Sequence, residues 1–330
     1  MAASPERAPD SRRFRAVRVV ALLLSTAVVP CWLGLGARWH WTLDLCAHPQ
    51  LLYLLALAPG ALLLLTLGHR RAALVCAATA GLAALRLAPL WLPAPMTVDT
   101  GTRTEALRIL AANLCFENPH PERLLPYARA QDAAVLGLSE ITARQEQQLA
   151  ALRREWPHAL VATNDDCYGM ALFSRLPLRA AEVIELGPPR ARAIRAVVDT
   201  AAGPVGLLLI HPPRPGSAER GAERDAALLT IEGAIAALPP LRVVFGDANA
   251  TRWSEPFAGV VARCGLRDSS DGHGHQGSWP VALPALLRLP IDHVLCSDGI
   301  AVRQRELGPD FGSDHLPVFA ELLLPLDRAR

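Results

Sequence analysis

Three apolar runs crowd the first hundred residues of this 330-residue chain, and no other feature restricts its architecture so strongly. They cover residues 17–37, 51–68 and 72–92. The first holds one charge, Arg18, at its start. The second holds none and is interrupted by Pro59-Gly60, and the third carries Arg86 near its end. The hydrocarbon core of a bilayer takes about 20 apolar residues of helix, so each run is of a length to cross it. The pattern predicts three transmembrane helices over residues 17–92, preceded by a tail over 1–16. A cleaved signal peptide is the competing reading of the first run, but two more apolar runs come directly after it and the small-residue cleavage pattern is poor. For the other two runs the competing reading is a buried helical hairpin.

Arginine placement gives these helices a direction. Arg7, Arg12, Arg13, Arg15 and Arg18 stand at or before the first run, Arg70 and Arg71 lie between the second and third, and only Arg38 lies between the first and second. The N-terminus is therefore expected in the cytoplasm, with everything after about Pro93 on the outer side. Arg86 would lie close enough to the outer end of its helix to snorkel to the interface. Residues 93–106 (PAPMTVDTGTRTEA) have the composition of a linker, short enough to hold the C-terminal part of the chain near the membrane surface.

Residues 107–326 are long enough for one substantial domain. Residues 1–100 hold nine Arg and four acidic residues, a balance of +5, whereas residues 101–330 hold 24 Arg and 27 acidic residues, a balance of −3. Duplex nucleic acid is usually held by a basic face, so an acidic domain argues against a dedicated nuclease. The seven cysteines show no CxxC pair, and no zinc site is indicated. One disulfide would be compatible with a location outside the cytoplasm; its pairing is not legible in the sequence.

Within the domain, short apolar runs repeatedly end on a polar residue. Leu107–Leu114 delivers Asn113, Ala133–Glu140 ends on Glu140, and Val205–His211 ends on His211. Arg242–Phe245 leads into Gly246-Asp247-Ala248-Asn249-Ala250. Leu289–Cys296 carries Asp292 and His293, and Ser313-Asp314-His315-Leu316-Pro317 opens the run Val318–Leu324. Strand ends are where a rigid sheet holds polar groups at fixed distances. Strands are also expected at Gly169–Ser174 and Ala193–Thr200, and helices at Pro121–Gln131, Thr142–Glu155, Ser217–Leu238 and Pro256–Cys264. Such a mixture suits two packed sheets with helices outside. The polar set, rich in oxygen and free of a nucleophilic Ser or Cys at a strained turn, suits a hard cation such as Mg²⁺ or Mn²⁺ better than zinc. A hard cation, neutral hydrogen-bond donors and a His–Asp pair are what phosphoester hydrolysis by activated water needs.

From Leu107 to Leu324 the chain resembles the endonuclease/exonuclease/phosphatase superfamily, with deoxyribonuclease I, exonuclease III, the inositol polyphosphate 5-phosphatases and the bacterial sphingomyelinases. The resemblance rests on Asn113, the "SE" glutamate, the "GMALFSRLPL" block (Gly169–Leu178), His211, "GDANA", "IDHV" and "SDHLP" in that order. Cys167 stands where some nucleases of the group have Tyr, with Tyr168 displaced by one. The resemblance implies an α+β fold, a four-layer αββα sandwich. It also implies roles: Glu140 as the main Mg²⁺ (or Mn²⁺) ligand, Asn113 supporting metal and phosphate, and Asp314 approaching the metal. His315 would be the general base oriented by Asp292, Asp247 would act around the leaving oxygen, Asn249 would donate to phosphate, and His211 would stabilise phosphoryl charge. His293 is expected to be structural. His273 and His275, in the Gly-rich stretch Asp271–Ser278, belong either to a surface loop or to a substrate-contacting one, with Trp279 packed beneath.

The layout also resembles the VanJ type of bacterial membrane protein. That implies a bacterial cell (inner) membrane location, contact with membrane lipids, and a phosphorylated lipid or small molecule as substrate. The expected activity is a membrane-anchored phosphoesterase. A tethered nuclease on extracytoplasmic DNA and a catalytically silent binding module are the alternatives.

Overall fold

The computed structural model describes residues 11–93 and 101–326, so the tail over 1–10 and most of the expected linker (94–100) lie outside the described residues. By its internal contacts the chain divides between Ala88 and Pro89.

The first unit consists of helices α1 (Ser11–Leu33), α2 (Trp41–Leu45), α3 (Gln50–Thr66) and α4 (Arg70–Leu87). Small residues face inward: Ala61, Ala73, Ala80 and Ala83 are buried with Cys31, Leu57 and Leu64. A Cβ on Gly60 would lie 2.5 Å from Leu24, so α1 and α3 approach closely there. Large aliphatic residues face outward, with Leu22, Leu62, Leu74 and Leu85 all exposed. Small residues inside and leucines outside is how helices associate when their surroundings are apolar. Two segments, Leu22–Trp39 and Arg70–Leu90, are long and apolar enough to cross a membrane. The second expected run, over residues 51–68, does not qualify. Its helix has 17 residues, or about 25 Å, against a core of about 30 Å. The chain leaves it at Leu67 and turns through Gly68, whose φ of 84° is left-handed.

The second unit holds two six-stranded mixed sheets. The first runs β11-β12-β1-β2-β4-β3 and the second β5-β6-β7-β8-β10-β9. The strands are β1 (Thr104–Asn113), β2 (Val135–Ser139), β3 (His158–Ala162), β4 (Met170–Ser174), β5 (Leu178–Glu185) and β6 (Arg192–Thr200). They continue as β7 (Gly203–His211), β8 (Arg242–Asp247), β9 (Leu266–Asp268), β10 (Asp292–Ser297), β11 (Ala301–Leu307) and β12 (Val318–Pro325). Each sheet has one parallel pair at its centre, β1 with β2 and β7 with β8, flanked by an antiparallel strand, β12 or β10. The two sheets are thus built on one plan.

Their inner faces share a core that includes Ile109, Val135 and Leu172 from one sheet and Leu207, Phe245 and Val294 from the other. The Phe245 ring lies where a Cβ on Gly137 would be, at 2.3 Å, so only glycine lets the sheets close there. Helices cover the outer faces. Short helices α5 (Leu125–Ala130), α6 (Ala143–Gln148) and α7 (Leu152–Glu155) lie on the first sheet through Leu125, Leu149 and Leu152, with Trp156 beside them. Helices α8 (Ala218–Ala236) and α9 (Glu255–Arg263) lie on the second through Leu228, Ile231 and Phe257. The result is an αββα sandwich, α+β in class. Strands β3, β5 and β9 come from stretches where no strand was expected, and the helix expected over Thr142–Glu155 is broken at Leu149–Ala151.

Candidate active site

The parallel pairs explain how distant residues meet. In β1 and β2 the register sets Asn113 beside Ser139, so Glu140 emerges next to Asn113. In the other sheet, β7 ends on His211 and β8 on Asp247, and antiparallel β10 begins with Asp292 opposite Asp247. The Ser313–Pro317 turn feeds β12, whose Val318 pairs with Ala111 of β1. All eight polar residues expected from the sequence therefore stand at one end of the two sheets.

Their contacts form a continuous chain. Asn113 Nδ2 donates to Glu140 Oε1 at 2.9 Å and to Asp247 Oδ2 at 3.1 Å, bridging the two sheets. Asp247 Oδ2 lies 3.5 Å from His211 Nε2 and 3.8 Å from His315 Nε2. His315 Nδ1 is 2.8 Å from Asp292 Oδ2. His211 Nε2 is also 3.7 Å from Glu140 Oε1. Asn113, His211, Asp247, Asp292 and His315 are all at most 5% exposed. Glu140 is more open, its side chain 16% exposed.

The backbone is held out of its ordinary wells at three of these strand ends. Cys115 (φ 55°), Glu140 (φ 59°) and Asn249 (φ 48°) are left-handed non-glycine residues. Such conformations cost about 1–3 kcal/mol each and persist where surrounding contacts impose them. Here the contacts are visible. Asn113 Oδ1 accepts from Cys115 N at 2.9 Å, and Asp247 Oδ1 accepts from Asn249 N at 2.7 Å. Glu140 Oε2 accepts from Phe116 N at 3.3 Å. Beside them Gly246 has φ 124°, and a Cβ there would lie 2.3 Å from Ile210 O, so only glycine brings β8 this close to β7 at the site.

Burial alone would lower the pKa of His315, but the charges of Asp292 and Asp247 outweigh it and push it up to about 10. Burial would likewise lower that of His211, and the nearby Asp247 and Glu140 raise it instead. Burial would raise that of Asp247, but His315 and His211 bring it down to about 2.

A divalent cation would supply positive charge to the same carboxylates. Among the described residues, Asp247, Asp292 and His315 offer ligand atoms within 4.8 Å of one another. The hydrogen bond between His315 and Asp292 makes this trio a relay more than a ligand shell, and two of its members are committed to each other. Glu140, more exposed and a carboxylate, is the better primary ligand for a hard cation. Among these site residues, two buried atoms have no hydrogen-bond partner, Asp292 Oδ1 and His211 Nδ1. An unpaired carboxylate oxygen in so acidic a pocket favours a cation or a donor. The residues present fit a divalent ion.

Three expected residues stand differently from their anticipated roles. The oxygen of Asn113 is taken by Cys115 N, so its amide presents hydrogens to Glu140 and Asp247 and orients them. Asn249 donates to Pro212 O at 3.0 Å, leaving one amide hydrogen for a ligand. Asp314 is exposed and accepts from Trp279 Nε1 at 3.0 Å. The Trp279 ring lies 6.3 Å from that of His315, with the Arg214 guanidinium 5.3 Å from the Trp279 ring. His273 and His275 contact the backbone carbonyls of Asp271 and Arg288.

Sequence reasoning missed several supporting groups. Ser313 Oγ donates to Asn113 O at 2.7 Å and accepts from His315 N at 3.1 Å, tying the β12 turn to β1. Arg305, fully buried, donates to Ser269 Oγ, to Asp292 O and to Gln276 Oε1. Asp268 faces His293 Nδ1 at 2.9 Å. For these partners only the "SDHLP" serine carried a signal, its position beside His315.

Solved structures share this fold. An endonuclease/exonuclease/phosphatase from Beutenbergia cavernae superposes with a TM-score of 0.54 at 20% identity, over 68% of this chain and 72% of that one. D. rerio TDP2 complexed with single strand DNA product gives 0.54 at 17% identity, over 66% and 99%. The human Nocturnin catalytic domain with bound sulfate gives 0.54 at 18% identity, over 68% and 96%. No curated protein matches by sequence. Residues 110–315, well over half of the chain, match the Endonuclease/Exonuclease/phosphatase family. This chain belongs to that family, whose members are Mg²⁺-dependent hydrolases of phosphoester bonds.

Proposed function

We propose that the protein hydrolyses a phosphate ester or pyrophosphate on a lipid-linked substrate at a membrane face, by direct attack of water. The observation that carries the chemistry is the half-open His315. Asp292 holds its Nδ1, while Nε2 makes no hydrogen bond and points toward Asp247 at 3.8 Å. An imidazole fixed in one tautomer with its other nitrogen free is a general base in position. Once neutral, His315 takes a proton from the attacking water, and Asp292 stabilises the resulting imidazolium.

Glu140 would hold the divalent ion, Mg²⁺ or Mn²⁺, which supplies positive charge to the phosphoryl oxygens. Asn113 keeps Glu140 and Asp247 in register by donating to both. His211 and the remaining Asn249 hydrogen donate to phosphoryl oxygens, where negative charge grows in the transition state. Asp247, an ionised carboxylate, orients the leaving group, whose oxygen takes its proton from solvent. Asp314, at the rim, positions the entering substrate together with Trp279.

The lipid-linked substrate is supported by the first unit, whose two long apolar helices and outward leucines suit a bilayer. In the same reading the protein is a multi-pass protein of the bacterial cell membrane, VanJ-like, with the catalytic unit outside. Reporter fusions at residue 100 and at the C-terminus test that placement; signal from the cytoplasm at either would reject it. A tethered nuclease is the second reading, favoured by the likeness to D. rerio TDP2 complexed with single strand DNA product. Purified full-length protein given prenyl pyrophosphate, sphingomyelin and DNA, each with Mg²⁺ or EDTA, separates the two. Mg²⁺-dependent turnover of a lipid substrate is expected. DNA cleavage without lipid cleavage would install the nuclease, and no turnover of any kind would leave a binding module.

A further inference from the structure

The connection from β9 to β10 carries an exposed apolar loop that catalysis at His315 does not use. Residues 282–287 (ALPALL) are all exposed. Five large apolar side chains are exposed between residues 101 and 326, and three of them are Leu283, Leu286 and Leu287. The other two, Val183 and Leu229, stand singly on β5 and α8. Scattered exposed leucines need no explanation, but three within five residues do.

This loop is built to project. Arg288 Nε donates to Leu283 O at 2.7 Å and its Nη2 to Val281 O at 2.9 Å, so one guanidinium braces the loop from inside. Trp279 and Leu289 exchange backbone hydrogen bonds and close its base. A short helical turn, Ala285–Leu287, forms the tip. The base is fastened to the site: Val281 N donates to Asp314 O at 2.9 Å, Leu316 N to Ser278 O at 3.0 Å, and Trp279 Nε1 to Asp314 Oδ2. The loop thus stands on the residues that flank His315.

Its chemistry selects the occupant. Residues 281–287 carry no charge; Arg288 follows them in the chain, and the exposed Arg214 lies beside Trp279 at the base. Leucines at a tip with tryptophan and arginine at the base is the order of groups a bilayer surface presents in reverse: acyl chains, then interface, then phosphate. A second link lies within the same unit. Gly272 N and Gly274 N donate to the carbonyls of Pro89 and Leu90, at 3.0 and 2.6 Å, and exposed Trp91 and Leu92 come next in the chain. The β9–β10 connection is therefore hydrogen-bonded to the first residues of the catalytic unit.

We propose that the 281–288 loop docks on a lipid bilayer, with Leu283, Leu286 and Leu287 entering the surface and the Asp314–His315 edge of the site held against the headgroups. It deepens the proposed function and rests on its lipid-linked substrate. Two readouts keep their failures apart. The full chain is reconstituted into phosphatidylcholine–phosphatidylglycerol vesicles with Leu286→Cys carrying a bimane label, and acyl-chain spin-labelled lipids are added as quencher. Leu229→Cys is the control, and the unsubstituted chain labelled alike is subtracted. Quenching at 286 should exceed that at 229 by about twofold or more, as for a side chain inside the acyl boundary. Equal quenching overturns the proposal, as does a 286 label shielded from both lipid and aqueous quenchers, which would mean a protein occupant or a second copy.

In the second readout, the Leu283→Ser/Leu286→Ser/Leu287→Ser chain should lose about tenfold in rate on a vesicle-embedded prenyl pyrophosphate while keeping its rate on water-soluble bis(4-nitrophenyl) phosphate. An unchanged vesicle rate counts against docking. If the unsubstituted chain cleaves only the soluble substrate, the lipid-substrate reading fails and the quenching result alone decides the loop.

Discussion

Strand β10 carries two buried imidazole–carboxylate pairs on either side of one peptide bond. Asp292 pairs with His315 at 2.8 Å, and His293 pairs with Asp268 at 2.9 Å. Adjacent residues on a strand point to opposite faces, so the pairs lie on opposite sides of the same sheet. The second nitrogen separates them. His293 Nε2 is 2.9 Å from Ala250 O, and Phe257 packs on its ring with centroids 4.5 Å apart. His315 Nε2 has no hydrogen bond. The same pair chemistry is thus closed on one face and open on the other. A saturated imidazole joins strands; one with a free nitrogen is available to move a proton.

The largest expected effect breaks the open pair. His315→Ala should lower kcat of the folded protein by about 10²–10⁴-fold, and Glu140→Ala should do likewise. Wild-type rates in either variant would remove the assignment. Breaking the closed pair should do the reverse. Asp268→Asn or His293→Ala should cost about 3–5 kcal/mol of stability, seen as a lower urea midpoint, while the folded fraction keeps its kcat. Burial would raise the pKa of Asp268, but His293, Arg252 and Arg305 hold it well below the usual carboxylate range, so this charge is strongly committed.

A pH series sharpens the comparison further. The charges of Asp292 and Asp247 raise the pKa of His315 from 6.5 to about 10. Its contribution to stability is fully present below pH 6.5 and is lost as pH rises through 10. That of Asp247, lowered from 3.8 to about 2, is present above 3.8 and is lost as pH falls through 2. Mg²⁺ binding should release protons, which calorimetry in buffers of different ionisation enthalpy detects. The smallest effect is Trp279→Phe, which removes the hydrogen bond to Asp314. It should cost about 1 kcal/mol in transition-state binding, or about fivefold in kcat/KM, and leave the melting temperature in place.

The open pair was legible in the sequence and the closed one was not. Asp292 and His315 sit in apolar runs whose polar ends stand out, and "IDHV" and "SDHLP" are family patterns. Asp268 ends a three-residue strand in a stretch of polar and glycine residues, and nothing local ties it to His293, 25 positions away. The sandwich itself came from the family resemblance more than from the strands. Edge strand β5 is largely exposed and lacks an apolar run, so periodicity had little to detect. Nothing in residues 149–151 (Leu-Ala-Ala, all strong helix formers) marks the break between α6 and α7. The role of Asn113 depended on which side of its amide Cys115 N occupies, a detail of the turn after β1 that residue spacing does not encode.

Manganese binding is the most direct test of the central claim, that Glu140 holds a divalent ion beside the open His315. Mn²⁺ titration of the full chain followed by electron paramagnetic resonance should show saturable binding, and Glu140→Gln should weaken it by about 10–100-fold, with hydrolysis falling in step. Equal Mn²⁺ affinity in the two proteins, or hydrolysis that persists in EDTA, would contradict it.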